Sequence, residues 1–118
     1  MKKIIFLLVV FSGLIGCYYD VKTELYGTPT CDNTIISYNG RIKAIMETNC
    51  TGCHSGSNPS AGIPLTTVAE IKTANNVGVW LCSIQQLEQC SAMPKGGKLS
   101  DCEITACQLW VDAGYPEN

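Results

Sequence analysis

Eight of the 118 residues are cysteines, and this excess constrains the fold more than any other feature of the sequence. Thiols are kept reduced in the cytosol, so this many cysteines in a short chain indicate an oxidising compartment, a bound metal, or both. The length allows one domain. A domain of about 100 residues often needs disulfides, a metal or a large cofactor besides its hydrophobic core.

The N-terminus has the pattern of an export signal. Two lysines precede an apolar run between residues 4 and 15, which is too short to be a comfortable membrane span. The run ends in Leu14-Ile15-Gly16-Cys17, which resembles the lipobox of bacterial lipoproteins. We therefore expect residues 1–16 to be a signal peptide and Cys17 to be lipidated, which would anchor the protein to a bacterial membrane with its domain in the periplasm or on the outer surface. The alternative is an ordinary secretory signal with an incidental cysteine.

Residues 17–36 have mixed polar composition without periodicity, so we expect a tether there and the folded domain in residues 37–118. Without Lys2 and Lys3, the 8 basic residues of the full chain fall to 6, against 10 acidic ones. The sequence has no basic stripe, which argues against a nucleic-acid partner.

Hydrophobic periodicity predicts an all-α domain of about three to five short helices joined by long loops. Apolar residues recur at helical spacing in residues 38–49, 66–74 and 79–89. Asn39 and either Thr66 or Thr67 are candidate N-caps of the first two segments. In the third segment, Trp80 and Leu87 should share one face.

The last predicted helix has the clearest boundaries. Ser100 and Glu103 have the spacing of a capping box, in which two side chains satisfy backbone amides reciprocally. Gly114 then stops the helix, and Trp110 broadens its inward stripe. Such a domain has a thin core unless something large fills its centre.

Cys50-Thr51-Gly52-Cys53-His54 is the most specific motif in the chain. This C-x-x-C-H pattern is typical of covalent haem attachment, because two thiols add across the porphyrin vinyl groups and the next imidazole binds the iron. A plain disulfide, a thioredoxin-like site and a zinc site are the alternatives. The thioredoxin-like site expects an alternating strand and helix context. Zinc needs two further ligands and gives no reason for His54 to follow Cys53 directly.

The sixth position of such an iron has few candidate ligands in this sequence. His54 is the single histidine, so a second histidine from the same molecule is excluded. Met46 lies on a predicted helix and is expected in the core, whereas Met93 lies in a loop with Pro94, Gly96 and Gly97. We expect Met93 to be the axial ligand, since a thioether raises the reduction potential of haem iron; the alternative is a gap-filling core residue.

These residues resemble a class I, mono-haem cytochrome c domain, over about residues 38–114. The resemblance rests on the haem motif, the loop Gly62-Ile63-Pro64-Leu65, and the Met93-Pro94 loop followed by a helix that bears Trp110. It implies one haem c, a Pro64 carbonyl beside the ring of His54, and Trp110 near the haem where the first and last helices cross. The surplus of cysteines departs from the family pattern.

Five cysteines remain after lipid and haem attachment, and spacing alone does not determine how they pair. Cys102 and Cys107 point to different faces of one helix, so they are poor mutual partners. Our hypothesis pairs Cys82 with Cys90, just before the Met93 loop, and Cys31 with Cys102. Cys107 would then be a buried thiol.

The expected function is electron transfer, with the iron cycling between its ferric and ferrous states and no catalytic residue in the chain. Lys95 and Lys98 either steer a redox protein partner or are ordinary solvated lysines. An open-site haem protein for sensing or small-ligand binding is the main alternative. Peroxidase activity is a weaker hypothesis because no histidine is left to act as a distal acid-base group. A non-haem lipoprotein with a metal or disulfide cluster is the last alternative.

Overall fold

The computed structural model describes residues 30–118. The expected signal peptide, the lipidated Cys17 and most of the expected tether lie outside the described residues. Within the described part of the chain, no helix has the length and apolar character that crossing a membrane requires.

Four short α-helices form the domain, and residues 30–118 contain no β-strand. The prediction of an all-α domain with a few short helices is confirmed. A π-helical turn, Tyr38–Ile42, leads directly into the first α-helix, and a 3₁₀ turn spans Ser60–Gly62. The α-helices are α1 Lys43–Asn49, α2 Val68–Asn76, α3 Trp80–Gln85 and α4 Asp101–Asp112.

Local sequence signals explain where α2 and α4 begin and end. Thr67 caps α2 and forms a capping box with Glu70, and Ser100 does the same for α4 with Glu103. Each box satisfies backbone N–H groups that have no partner inside the helix. After α4, Gly114 adopts a φ of 81°, a conformation that glycine reaches without strain. The predicted start and stop of the last helix are confirmed.

The first helical segment begins at a different cap from the expected Asn39. The Ser37 hydroxyl accepts a hydrogen bond from the Gly40 N–H at 3.1 Å. Asn39 is engaged elsewhere, because its N–H donates to the Glu117 carbonyl and its side-chain amide donates to Asn118 at 2.8 Å. The polar groups of Asn39 therefore bind residues near the C-terminus and do not cap the helical segment.

Helix α3 is shorter than its apolar pattern suggested. It ends at Gln85, and Gln86 turns into the left-handed region with a φ of 58°. Leu87 is 42 % exposed, so the expectation that it shares a buried face with Trp80 is wrong. The Cys82–Cys90 disulfide closes the turn that follows, and this covalent closure explains why the helical pattern is not continued.

Both disulfides of the sequence hypothesis are present: Cys31 pairs with Cys102, and Cys82 pairs with Cys90. Cys107 is a fully buried free thiol, as expected. The Cys31–Cys102 bond joins the start of the described chain to α4. Residues Cys31–Asn118 form one compact unit.

The hydrophobic core surrounds Trp110 of α4, which is completely buried. Its ring contacts those of Tyr38 and Tyr115 at centroid distances of 6.1 and 5.0 Å, and its Nε1–H donates to the Pro116 carbonyl at 2.9 Å. The Tyr38–Ile42 turn packs against α4, so the expected contact between the first and last helical segments is present. The core holds the two ends of the domain together.

Candidate functional site

The C-x-x-C-H motif forms a tight turn at the end of α1. Cys50 is the C-cap residue, and its N–H donates to the Met46 carbonyl at 2.8 Å. The Cys50 carbonyl then accepts from the N–H groups of Cys53 and His54, at 3.1 and 2.9 Å. This turn places both thiols and the imidazole on the wall of one cavity.

Cys50 and Cys53 are not bonded to each other, although four other cysteines of the described chain form disulfides. Cys53 is exposed and Cys50 is partly buried. Burial raises the pKa of the Cys50 thiol to about 11, because desolvation disfavours the thiolate. A thiol that attacks disulfides has a lowered pKa, so the environment of Cys50 differs from that of a thioredoxin-like site.

The imidazole of His54 is oriented by the loop that follows the 3₁₀ turn. Its Nδ1 lies 2.8 Å from the carbonyl oxygen of Ile63, and the Leu65 N–H donates to the His54 carbonyl at 2.9 Å. The expected partner, the Pro64 carbonyl, is therefore wrong by one residue. Pro64 has no N–H, and the two hydrogen bonds to His54 come from the residues on either side of it. A neutral ring that donates from Nδ1 keeps Nε2 free to bind a metal.

Met93 reaches the same cavity from a different part of the chain. Its N–H donates to the Ser83 carbonyl of α3 at 3.1 Å, and its half-buried side chain lines the cavity. Gly97, in the loop that follows, has a φ of 147° that disfavours other residues. Met46 is 1 % exposed and belongs to the core, as expected.

The cavity has a volume of about 830 Å³, within the range of roughly 300–1,000 Å³ that is typical of ligand and cofactor sites. Cys50, Cys53, His54 and Met93 all line it. Its apolar wall consists of Ala61, Ile63, Leu65, Ala74, Val79, Trp80, Ile84 and Pro94. The structure thus brings together the four residues that the sequence assigned to haem attachment and axial ligation.

Trp80, which the sequence treated only as a core residue, is the tryptophan of this cavity. Trp110 does not line the cavity itself but packs edge-on against Trp80 at a centroid distance of 6.1 Å, so it lies directly behind this wall. The buried Nε1–H of Trp80 has no hydrogen-bond partner among the described residues. The sequence signal for this wall was the spacing of Trp80 and Ile84, which places two large apolar side chains on the same face of α3.

The charge at the cavity is positive. Lys95 and Lys98 line it, whereas no Asp or Glu of the described chain does. Lys98 also lies 3.8 Å from Asp101 in a solvent-exposed ion pair, which contributes little to stability. In residues 30–118, no three His, Cys, Asp or Glu side chains are grouped so that they could hold a metal ion.

Comparisons with known proteins add no relative to this description. No protein-family model matches the chain, and neither a curated protein nor a solved structure matches it significantly. The assignment of function therefore depends on the chemistry of the cavity.

Proposed function

We propose that this chain is a membrane-tethered electron carrier of the cytochrome c type, with one haem c attached through Cys50 and Cys53. In this proposal His54 is the proximal ligand and Met93 the distal ligand. The observation that carries the proposal is the meeting of these four side chains, from two distant segments, on one cavity. Each has the chemistry that its role requires: two thiols for thioether bonds, an imidazole nitrogen and a thioether sulfur for iron.

The cavity fits such a group in three further respects. Its volume and apolar wall suit a large flat macrocycle. The unpartnered Nε1–H of Trp80 is a buried donor that an acceptor on the cofactor would satisfy, and leaving it unsatisfied costs about 1–3 kcal/mol. Lys95 and Lys98 would offset the negative charge of haem carboxylates.

Bound haem would supply one-electron exchange between the ferric and ferrous states of its iron. The chain's own residues set the conditions for that exchange. The Ile63 carbonyl holds His54 in the tautomer that presents Nε2. Ile63, Leu65 and Ile84 give the cavity an apolar lining. Met93 would fill the remaining axial position, which leaves no place for a substrate and favours a carrier over an enzyme.

The expected partners are redox proteins, and the lysines at the cavity suggest partners with a negative surface. Lys95 is an exposed residue that lines the cavity, and Lys98 is half exposed. Charges in such a position raise the rate of encounter with an oppositely charged protein and lose this effect at high salt. Lipidation of Cys17 would keep the carrier at the membrane while its domain meets these partners.

The disulfides weaken the zinc alternative. Cys31, Cys82, Cys90 and Cys102 are consumed in them, and Cys107 is buried in the core. A four-ligand zinc site that contains Cys50 and Cys53 would need two further ligands, and the four disulfide-bonded cysteines cannot supply them.

The visible spectrum of protein matured in a periplasm that attaches haem tests the proposal. We expect covalent haem in the wild type and none after Cys50→Ala with Cys53→Ala. Met93→Ala should abolish the far-red band of a methionine-ligated ferric haem and permit carbon monoxide to bind the ferrous protein. Met46→Leu, a change in a buried methionine outside the cavity, is the matched control and should keep the band. Wild-type protein without covalent haem would overturn the proposal, and a band that survives Met93→Ala would remove Met93 from the ligand set.

A further inference from the structure

We propose that the Cys82–Cys90 disulfide is a positioning element for Met93, so that axial ligation by Met93 depends on this bond. The inference rests on the proposed function and concerns what holds the distal ligand in place. Cys82 lies in α3, and only Ser91 and Ala92 separate Cys90 from Met93. The residues directly after the two cysteines, Ser83 and Ser91, both line the cavity.

The segment between α3 and Met93 has little other attachment to the domain. No residue from 86 to 92 belongs to the buried core, and Leu87 is 42 % exposed. Its backbone hydrogen bonds join Leu87 to Cys82 at 3.2 Å and Cys90 to Leu87 at 2.9 Å, so they lie inside the loop that the disulfide closes. The Cys90 sulfur also lies 3.7 Å from the Gly78 carbonyl, a weak contact.

Beyond this loop, a single backbone hydrogen bond ties Met93 itself to α3. The Met93 N–H donates to the Ser83 carbonyl at 3.1 Å, and Ser83 is the neighbour of Cys82. The disulfide and this hydrogen bond therefore fasten both ends of the same short connection to one turn of α3. Without the covalent link, the connection samples more conformations and the local concentration of the thioether at the iron falls.

A methionine sulfur is a neutral ligand whose binding depends on preorganisation. Loss of groups that orient a metal ligand typically lowers the binding constant by about 10–100-fold. We expect a decrease of this size in the equilibrium constant for Met93 ligation when the disulfide is removed. The vacated position then accepts external ligands such as carbon monoxide.

The second disulfide of the domain provides the matched control. Cys31–Cys102 joins the start of the described chain to the first turn of α4, and no neighbour of either cysteine in the sequence lines the cavity. Its removal affects the stability of the whole domain without acting on the Met93 connection. A disulfide that acted only through general stability would give the same spectroscopic result in both variants.

The experiment compares haem-loaded wild type, Cys82→Ser/Cys90→Ser and Cys31→Ser/Cys102→Ser. We expect the far-red band to be lost, and the carbon monoxide affinity of the ferrous protein to rise about 10–100-fold, only in the Cys82→Ser/Cys90→Ser protein. The same disulfide change made in a Met93→Ala background should leave the carbon monoxide affinity unaltered, because there is no ligand left to position. A disulfide effect that persists in that background would overturn the proposal.

Each remaining outcome is also decisive. A Cys82→Ser/Cys90→Ser protein that keeps the wild-type band and affinity overturns the positioning role and leaves the proposed function intact. Wild-type protein without covalent haem or the band overturns the proposed function itself. If the serine variant does not fold, insertion of two glycines between Ser91 and Ala92 keeps both disulfides and breaks their link to Met93. That insertion should also abolish the band, and an unchanged band would refute the proposal.

Discussion

Removal of the Cys31–Cys102 disulfide is expected to destabilise the domain more than removal of Cys82–Cys90. The first bond spans a sequence separation of 71 and the second a separation of 8. A disulfide stabilises mainly by restricting the unfolded chain, and the restriction grows with the logarithm of the loop length. This relation gives about 4.4 kcal/mol for the longer loop and about 2.5 kcal/mol for the shorter one.

The difference of about 2 kcal/mol corresponds to a shift in Tm of roughly 8–16 °C for a domain of this size. Urea titration of the two double-serine proteins, each in a Met93→Ala background, measures it. The Met93→Ala background is needed because, if Met93 is an iron ligand as proposed, its loss would otherwise add to the cost of removing the shorter disulfide loop.

A larger loss of unfolding free energy in the Cys82→Ser/Cys90→Ser protein would refute the loop-entropy reasoning. Such a result would mean that contacts in the native state contribute more to the stability difference than the entropy of the unfolded chain does. One native contribution is visible at the longer loop, where Arg41 donates to the carbonyls of Asp32 and Cys102. These hydrogen bonds can persist without the covalent bond, so a measured loss somewhat below the calculated value is consistent with the structure.

Three further predictions concern single residues. Gly40→Ala should cost about 1–3 kcal/mol in urea titration, because an added Cβ would lie 2.5 Å from Cγ2 of Ile35, whereas Gly52→Ala meets nothing within 4 Å and should be nearly neutral. Trp80→Phe should lower the unfolding free energy of both forms through lost packing, and by about 1–3 kcal/mol more in the haem-loaded protein; an equal loss in both would disprove a hydrogen bond to the proposed cofactor. Burial raises the pKa of Cys107 from 9.0 to about 12, so the unfolded chain loses this proton first and unfolding free energy should fall as pH rises from 9 towards 12. Cys107→Ala should show a shallower fall over that range, and identical pH profiles would contradict this assignment.

Much of the local structure could be predicted because it depends on neighbours in the sequence. The capping box of Ser100 and Glu103 and the stop at Gly114 operate within one or two helical turns, and both are found as predicted. The C-x-x-C-H turn is equally local, since its spacing alone brings Cys50, Cys53 and His54 together. The count of one histidine left Met93 as the best candidate for the second ligand of the proposed haem, and Met93 lines the same cavity.

The sequence predictions failed where residues that are distant in the sequence determine the local structure. Asn39 does not cap the first helical segment, because its polar groups donate hydrogen bonds to Glu117 and Asn118 near the C-terminus. Helix α3 ended early because a disulfide closes the turn after it, which no apolar pattern reports.

The sequence by itself determined which reactive side chains the site contains, because the residue types and the spacing of Cys50, Cys53 and His54 are fixed by the order of the chain. The tertiary structure decided what surrounds that chemistry. Ile63, and not Pro64, accepts the hydrogen bond from the ring of His54. Trp80 forms part of the cavity wall, and Trp110 packs behind it. Both outcomes depend on how separate segments pack at distances of a few ångströms, and a shift of one residue in a loop changes the partner without changing any local signal.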